Sequence, residues 1–195
     1  MQPPLIQFQW DGQRIRSITP DHIAVIEPKP GHPRGLKGSV MAGIWAAAGH
    51  AAGGGIIWMD PDIVADPGDI SYLREEIDQY PDDIVHVPHK LWPASTGRDE
   101  WVWSYGRHDG TMPVMSQVPA TQPGWCAIGL TYTPAVLLDI VAADMPFWEF
   151  GQIDMTLSAT ARQHDIPIRV CDGVQVKHVH FTPGDDYLAW TRTTS

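Results

Sequence analysis

The stretch Gly53-Gly54-Gly55-Ile56-Ile57-Trp58-Met59-Asp60-Pro61-Asp62 opens with glycines and ends in two carboxylates separated by one proline. Residues 56–59 lack the alternation of a half-exposed strand, which predicts a buried parallel strand covered on both faces. Pro61 disfavours the helical region at Asp60, so the chain stays extended, and Asp60 and Asp62 can point to one side. The stretch therefore predicts a buried strand that delivers two acids to a sheet edge. The alternative is an ordinary turn, because Asp and Pro are common in turns.

Two histidines near the end of the sequence could complete a metal site with these acids. His178 and His180 share one face of a predicted strand, residues 174–181, because side chains alternate along a strand. Carboxylates suit a hard divalent cation that keeps several waters and is completed by substrate phosphates. The mixture of oxygen and imidazole donors favours Mn²⁺, or Mg²⁺, over Ca²⁺. The alternative is that both histidines are simply solvated.

The composition limits the class of protein. With 195 residues, 43% of them hydrophobic, the chain is long enough for one globular domain with a full core. It has no apolar stretch of membrane-spanning length and no signal-peptide pattern at its start, so we expect a cytoplasmic protein. Cys126 and Cys171 are too few for a disulfide framework, and we expect both to be reduced and buried. A net charge of −10 argues against broad electrostatic binding to nucleic acid.

Strand and helix patterns alternate along the chain. This predicts an α/β fold with a mostly parallel sheet flanked by helices and an active site at the carboxyl ends of strands. A strand at 23–26, a helix at 39–52 and the strand at 56–59 would form a βαβ unit. Residues 88–123, rich in Trp, Gly and Pro, predict a functional loop or lid. The other predicted helices are 67–80, 134–144 and 152–164, and the other predicted strands are 84–87, 168–171 and 174–181, while residues 124–130 form an apolar run.

Further candidate site residues lie outside these acids and histidines. Asp154 lies in the first turn of a predicted helix, where the macrodipole favours an ionised carboxylate. It could act as a general base on a hydroxyl, or it could only cap the helix. Gly124 and Trp125 open an apolar run in which glycine allows close approach of a ligand. Trp125 could stack on a sugar or anchor a loop, and Lys37 could meet a phosphate or be a solvated loop charge.

These motifs together resemble a known family. Asp60-Pro61-Asp62 after an apolar strand resembles the DxD motif of GT-A-fold glycosyltransferases, and the helix of residues 38–52 resembles the one before DxD in family-two-like members. Residues 148–158 resemble the acceptor-side segment with a Glu-Asp pair, although Ile153 stands where the Glu often is and only Asp154 matches. Residues 176–180 resemble the late strand that contributes a His to the metal. The similarity covers roughly residues 38–181, with its parts in the expected order.

The resemblance implies a single GT-A-like, Rossmann-related domain over residues 1–195. Residues 1–62 would be a reduced nucleotide-binding part ending in DxD, and residues 63–195 the acceptor side with the late metal-ligand strand. It implies a metal-dependent transfer of a sugar from a nucleotide-diphosphate donor, a UDP-sugar being favoured, to a hydroxyl, with inversion and with Asp154 as the base. The metal would be held by Asp60, Asp62, His178 and His180, and the donor by Asp60, Asp62, Lys37, Gly124 and Trp125. No residue that reads the nucleotide base can be assigned.

Two other classes of function fit the same residues. A metal-dependent phosphohydrolase or nucleotidyltransferase could use the same acids and histidines without any sugar. The short segment before DxD also fits a non-catalytic sugar-binding module. The acceptor could be a protein, a small molecule, a glycan or a modified DNA base. The acidic charge disfavours nucleic acid, and no membrane partner is expected.

Overall fold

The computed structural model describes residue 3 and residues 5–10, 15–19, 22–26, 54–59, 63–91, 102–106, 123–144, 153–174 and 176–178. Within them the protein is a mixed α/β structure, which confirms the predicted class. The helices are α1 (Pro67–Gln79), α2 (Ala135–Asp144) and α3 (Ile153–Gln163). The strands are β1 (Leu5–Trp10), β2 (Ile15–Thr19), β3 (His22–Ile26), β4 (Ile56–Met59), β5 (Ile63–Val64), β6 (Ile84–Val87), β7 (Lys90–Leu91), β8 (Val102–Trp103), β9 (Tyr105–Gly106), β10 (Trp125–Cys126), β11 (Leu130–Thr133), β12 (Ile168–Val170) and β13 (Lys177–His178).

Among the described residues, seven strands form one mixed sheet in the order β12-β6-β11-β4-β1-β2-β3. Only β12 with β6 and β4 with β1 are parallel, so the prediction of a mostly parallel sheet is wrong. Two features of the chain explain the antiparallel pairs. The connections from β1 to β2 and from β2 to β3 are far shorter than the dozen or more residues of a parallel crossover. The chain also leaves β6 and enters β11 at the same edge of the sheet.

The two strands of the predicted βαβ unit run in the same direction in one sheet but are not neighbours. The parallel neighbour of β4 is β1, which the sequence analysis did not predict, and β3 is separated from β4 by β1 and β2. The helix predicted at 39–52 lies outside the described residues. β4 itself is buried as predicted, because Ile56, Ile57 and Trp58 are at most 2% exposed. Gly55, which leads into β4, has a φ of 71° that favours glycine.

The helix α1 follows the start signals in the sequence. Asp66 is its N-cap, Pro67 occupies the first turn, and the Asp66 backbone N–H donates to the Asp69 carboxylate at 2.8 Å. Leu73 and Ile77 face inward from this helix and are at most 3% exposed. They pack in one core cluster with sheet residues that include Ile57, Val85, Val87, Leu130 and Tyr132. This cluster makes one face of the sheet apolar.

The opposite face of the same strands carries polar side chains. Alternation places Trp58, His86, Thr131 and Thr133 on this face, and each is at most 2% exposed. Thr131 pairs with Trp58 on one side and with His86 on the other. The Trp58 indole N–H donates to Thr133 Oγ1 at 2.9 Å. Buried polar groups of this kind remain in a core only when hydrogen bonds replace those to water.

Other predicted elements differ in detail from the structure. The apolar run 124–130 divides into β10 and the start of β11, and the described part of 174–181 is a strand only at Lys177–His178. Residues 88–123 contain β7, β8 and β9 in their described parts, so they are not structureless there. The predicted helices 134–144 and 152–164 are confirmed as α2 and α3. The predictions that Cys126 and Cys171 are buried and free are confirmed. Within the described ranges, no helix is long and apolar enough to cross a membrane.

Candidate functional site

The candidate site is the edge of the sheet at which β4, β6 and β12 end and β11 begins, called here the carboxyl edge. Met59 and Leu130 pair across this edge, and Leu130 also pairs with Val87. The described segments directly beyond it are residues 88–89, 127–129 and 171–174. Loops at the carboxyl ends of strands in α/β sheets commonly form ligand sites. The carboxyl edge is therefore the place where predicted site residues are to be sought.

Two short strands pair just beyond this edge. β13 runs antiparallel to β5, with His178 opposite Ile63 and Lys177 opposite Val64, and β13 also lies against β7. The backbone of His178 thus lies next to the residue that follows Asp62, although the two positions are far apart in the sequence. The side chain of His178 and the whole of Asp60, Asp62, His180 and Lys37 lie outside the described residues.

The predicted ligands are of types that suit a divalent metal. Paired carboxylates with imidazole are oxygen and nitrogen donors that Mn²⁺ accepts. Among the side chains that the structure describes, no group of three or more His, Cys, Asp or Glu could hold a metal. The side chains of the predicted ligands lie outside that part, and the pairing of β13 with β5 contains only the backbone of His178.

The predicted base, Asp154, belongs to a polar stripe of α3 that faces β10. Asp154, Ser158 and Arg162 recur at intervals of four and so lie on one side of the helix. The Cys126 backbone N–H donates to Ser158 Oγ at 3.2 Å, and the Arg162 guanidinium donates to the Gly124 carbonyl. Burial, followed by the nearby Asp154 carboxylate, raises the pKa of the Cys126 thiol to about 12. Asp154 thus lies close to β10, and the Cys126 thiol is protonated at neutral pH.

Gly124 and Trp125 are brought next to this stripe. The Gly124 backbone N–H donates to the Gly106 carbonyl at 2.7 Å, and its own carbonyl accepts from Arg162. Both backbone groups of Gly124 are therefore used within the protein. Trp125 is only 5% exposed, which leaves little of its ring for stacking. Its buried indole N–H has no hydrogen-bond partner among the described residues. This N–H is a donor that a ligand oxygen could satisfy.

A buried polar cluster that the sequence analysis missed lies just below the carboxyl edge. His86 Nδ1 is 2.8 Å from Thr131 Oγ1, and His86 Nε2 is 2.7 Å from Ser104 Oγ. The Thr131 hydroxyl donates to the Ala127 carbonyl at 3.0 Å, so its oxygen accepts from an Nδ1–H of His86. His86 Nε2 then accepts from the Ser104 hydroxyl. Burial lowers the pKa of His86 to about 3, so the imidazole is neutral at pH 7.

The Ser104 and His86 pair resembles a nucleophile with its base, but its setting excludes that role. Both residues are 0% exposed, so no substrate carbonyl can reach Ser104 Oγ. The same oxygen also accepts from the His89 backbone N–H at 3.0 Å. The sequence signal for the cluster was a polar residue inside each of two apolar strands, His86 in β6 and Thr131 in β11. The pair instead links β6 to the segment that follows β8.

No protein-family model matches this chain, and no curated protein matches it. The case for a function therefore rests on the residues and the geometry of the carboxyl edge.

Gly129 borders this edge and packs directly against the ring of His89. A Cβ at Gly129 would lie 2.1 Å from Cε1 and 2.7 Å from Nδ1 of His89, which is 3% exposed. Replacing Gly129 with Ala is therefore expected to lower the free energy of unfolding by about 1–3 kcal/mol, because a packed ring must move. Urea unfolding followed by circular dichroism measures the free energy of unfolding of Gly129→Ala and of the native protein.

Gly68 in α1 provides a matched control. A Cβ at Gly68 meets no atom within 4 Å, and Ala is a better helix former than Gly. Gly68→Ala is expected to leave stability unchanged or slightly raised. Equal stabilities of the two variants would contradict the packing of His89 against Gly129.

Proposed function

We propose that this protein is a metal-dependent GT-A-fold glycosyltransferase that transfers a sugar from a nucleotide-diphosphate donor, a UDP-sugar being favoured, to a hydroxyl. The observation that carries the proposal is the pairing of β13 with β5, which sets His178 opposite the residue after Asp62. The mixed sheet, which ends at this edge, supplies the α/β scaffold that such an enzyme needs.

The donor side of the proposed site lies beyond β4. Asp60 and Asp62, with His178 or His180, would hold a Mn²⁺ or Mg²⁺ ion on the diphosphate, and this ion would neutralise the charge of the leaving group. Lys37 is the proposed phosphate contact. The buried indole N–H of Trp125 is a proposed donor to an oxygen of the nucleotide sugar, while Gly124 allows close approach through its Cα. Hydrogen bonds prearranged in a dry site stabilise developing charge well.

The acceptor side is assigned to the amino end of α3. The acceptor hydroxyl oxygen forms a bond to the anomeric carbon, while the bond from that carbon to the diphosphate oxygen breaks. Asp154 takes the hydroxyl proton as general base, and a single displacement of this kind inverts the configuration. This step requires the ionised form of Asp154. Ser158 and Arg162 fix the helix on β10 and so fix the place from which Asp154 acts.

Calorimetric titration tests the donor side. UDP-, GDP- and TDP-sugars are titrated into the native protein with Mn²⁺ and with EDTA, and then into Asp62→Ala. We expect one sugar nucleotide to bind with Mn²⁺ only, and we expect its affinity to fall by about 100-fold or more in Asp62→Ala, because a metal ligand is lost. Asp78→Asn, which alters an exposed carboxylate of α1, is the matched control and should bind like the native protein.

The other outcomes separate the rival functions. Equal binding of the free nucleotide and its sugar conjugate, with phosphate released, would favour a phosphohydrolase or nucleotidyltransferase. Sugar binding whose affinity is unchanged by EDTA and by Asp62→Ala would favour a sugar-binding module. Absence of any nucleotide binding would overturn the donor site proposed here.

A further inference from the structure

The end of β6 and Ser104 are joined by two reciprocal contacts. The Ser104 backbone N–H donates to the His89 carbonyl at 3.0 Å, and the His89 backbone N–H donates to Ser104 Oγ, also at 3.0 Å. β7 begins directly after His89, and β8 ends directly before Ser104. Since Lys90 pairs with Trp103, these contacts continue the β7–β8 ladder toward the core. These two hydrogen bonds between His89 and Ser104, called here the clamp, therefore fix the position of β7.

His86 holds this clamp to the sheet. Its Nε2 accepts from the Ser104 hydroxyl, and its Nδ1–H donates to Thr131 on β11. The carbonyl of His86 also accepts the backbone N–H of Cys171 at 2.8 Å, at the end of β12. One residue thus joins the ends of β6, β11 and β12 to Ser104.

The orientation of each hydrogen bond in this chain is fixed by the next one. The Thr131 hydroxyl donates its hydrogen bond to the Ala127 carbonyl, so the Thr131 oxygen accepts from the Nδ1–H of His86. The Ser104 hydroxyl donates its hydrogen bond to His86 Nε2, so the Ser104 oxygen accepts from the His89 backbone N–H. Loss of the Ser104 hydroxyl leaves a ring nitrogen and a backbone N–H without partners in a dry interior, and movement of the clamp relieves that cost.

We propose that His86 and Ser104 are positioning residues for β13, and through it for His178. β7, which the clamp fixes, lies against β13, and β13 pairs with β5 beside Ile63. The position of His178 is thereby tied to the buried cluster and not only to its own two-residue strand. The choice of Mn²⁺ and a sugar nucleotide as probes rests on the proposed function. The positioning itself does not.

The test compares Ser104→Ala with Ser158→Ala. Both remove a 0% exposed hydroxyl that accepts a backbone N–H, but only Ser104 belongs to the clamp. Amide resonances of Lys177 and His178 are expected to shift in Ser104→Ala and to stay in place in Ser158→Ala. The Mn²⁺ affinity, titrated with the sugar nucleotide at a temperature where each variant is fully folded, is expected to fall about 10-fold in Ser104→Ala. Ser104→Cys keeps a weak S–H donor and should give a smaller loss.

Each result decides between positioning and mere packing. Unchanged β13 amide resonances in Ser104→Ala, or equal shifts of these resonances in Ser104→Ala and Ser158→Ala, would overturn the inference and leave the proposed function standing. Failure of the native protein to bind Mn²⁺ with a sugar nucleotide would reject the proposed function, while the amide shifts would still decide the inference. If Ser104→Ala does not fold, Ser104→Cys replaces it, and unchanged β13 amides in that variant would overturn the inference.

Discussion

Replacing Asp154 with Asn is expected to lower the rate of sugar transfer by about 10²–10⁴-fold, which is the usual contribution of a general base. Asn has nearly the same shape as Asp but cannot take the proton of the acceptor hydroxyl. Affinity for the donor should be unchanged, because none of the proposed donor contacts is a residue of α3. The release of nucleoside diphosphate from the bound sugar nucleotide measures the rate, and calorimetry measures the donor affinity.

The same substitution separates catalysis from helix capping. Asn is about as good as Asp near a helix amino terminus, so a residue that only caps α3 should tolerate the change with little loss of stability. Asp139→Asn, on the exposed side of α2, removes one carboxylate elsewhere and should keep the native rate. If Asp154→Asn also turned over at the native rate, Asp154 would be a capping residue and the base would have to be another group.

Local signals in the sequence predicted the elements that have clear starts and faces. Asp66 and Pro67 placed the beginning of α1, and the spacing of Leu73 and Ile77 placed its buried face. β6 was predicted at its observed bounds, Ile84–Val87. β1 was missed although Ile6, Phe8 and Trp10 alternate with glutamines, a pattern typical of a strand. Attention to apolar runs alone overlooks such strands.

Strand order and side-chain partners were not predictable in the same way. The antiparallel direction of β11 depends on where the chain travels between β6 and β11, and no local pattern encodes this. The contact of His86 with Ser104 and Thr131 joins three separate segments. The sequence marks His86 only as a polar residue inside a buried strand. Pairing of β13 with β5 is equally non-local, and no local pattern in the sequence predicted that His178 lies opposite Ile63.

Lowering the pH from 7 to 4 is expected to destabilise the fold through His86. Burial lowers the pKa of His86 to about 3 in the folded protein, whereas an unfolded chain binds this proton near pH 6.5. Below pH 6.5 the unfolded state therefore holds more protons, and stability falls as the pH falls. The loss is about 1.4 kcal/mol per pH unit, which gives about 2 kcal/mol at pH 5 and on the order of 5 kcal/mol by pH 3.

The titratable side chains that face this imidazole do not offset the loss. The ring of His89 lies 5.6 Å away and that of Tyr105 lies 6.4 Å away, between ring centroids. Burial, followed by nearby Asp172, raises the pKa of Tyr105 to about 12. Neither side chain therefore supplies a negative charge that would stabilise a protonated His86.

Urea unfolding at a series of pH values separates His86 from the other titrating groups. Carboxylates and the remaining histidines contribute to the slope of the native protein, but they contribute equally in a variant that lacks only His86. His86→Gln is expected to start less stable at pH 7 and to lose about 2 kcal/mol less than the native protein between pH 6.5 and 5. His164→Gln removes an exposed imidazole at the end of α3 and is the control for the loss of one histidine. Parallel slopes for native protein and His86→Gln would mean that His86 takes up its proton without leaving the fold, and that water or a moving partner reaches the cluster.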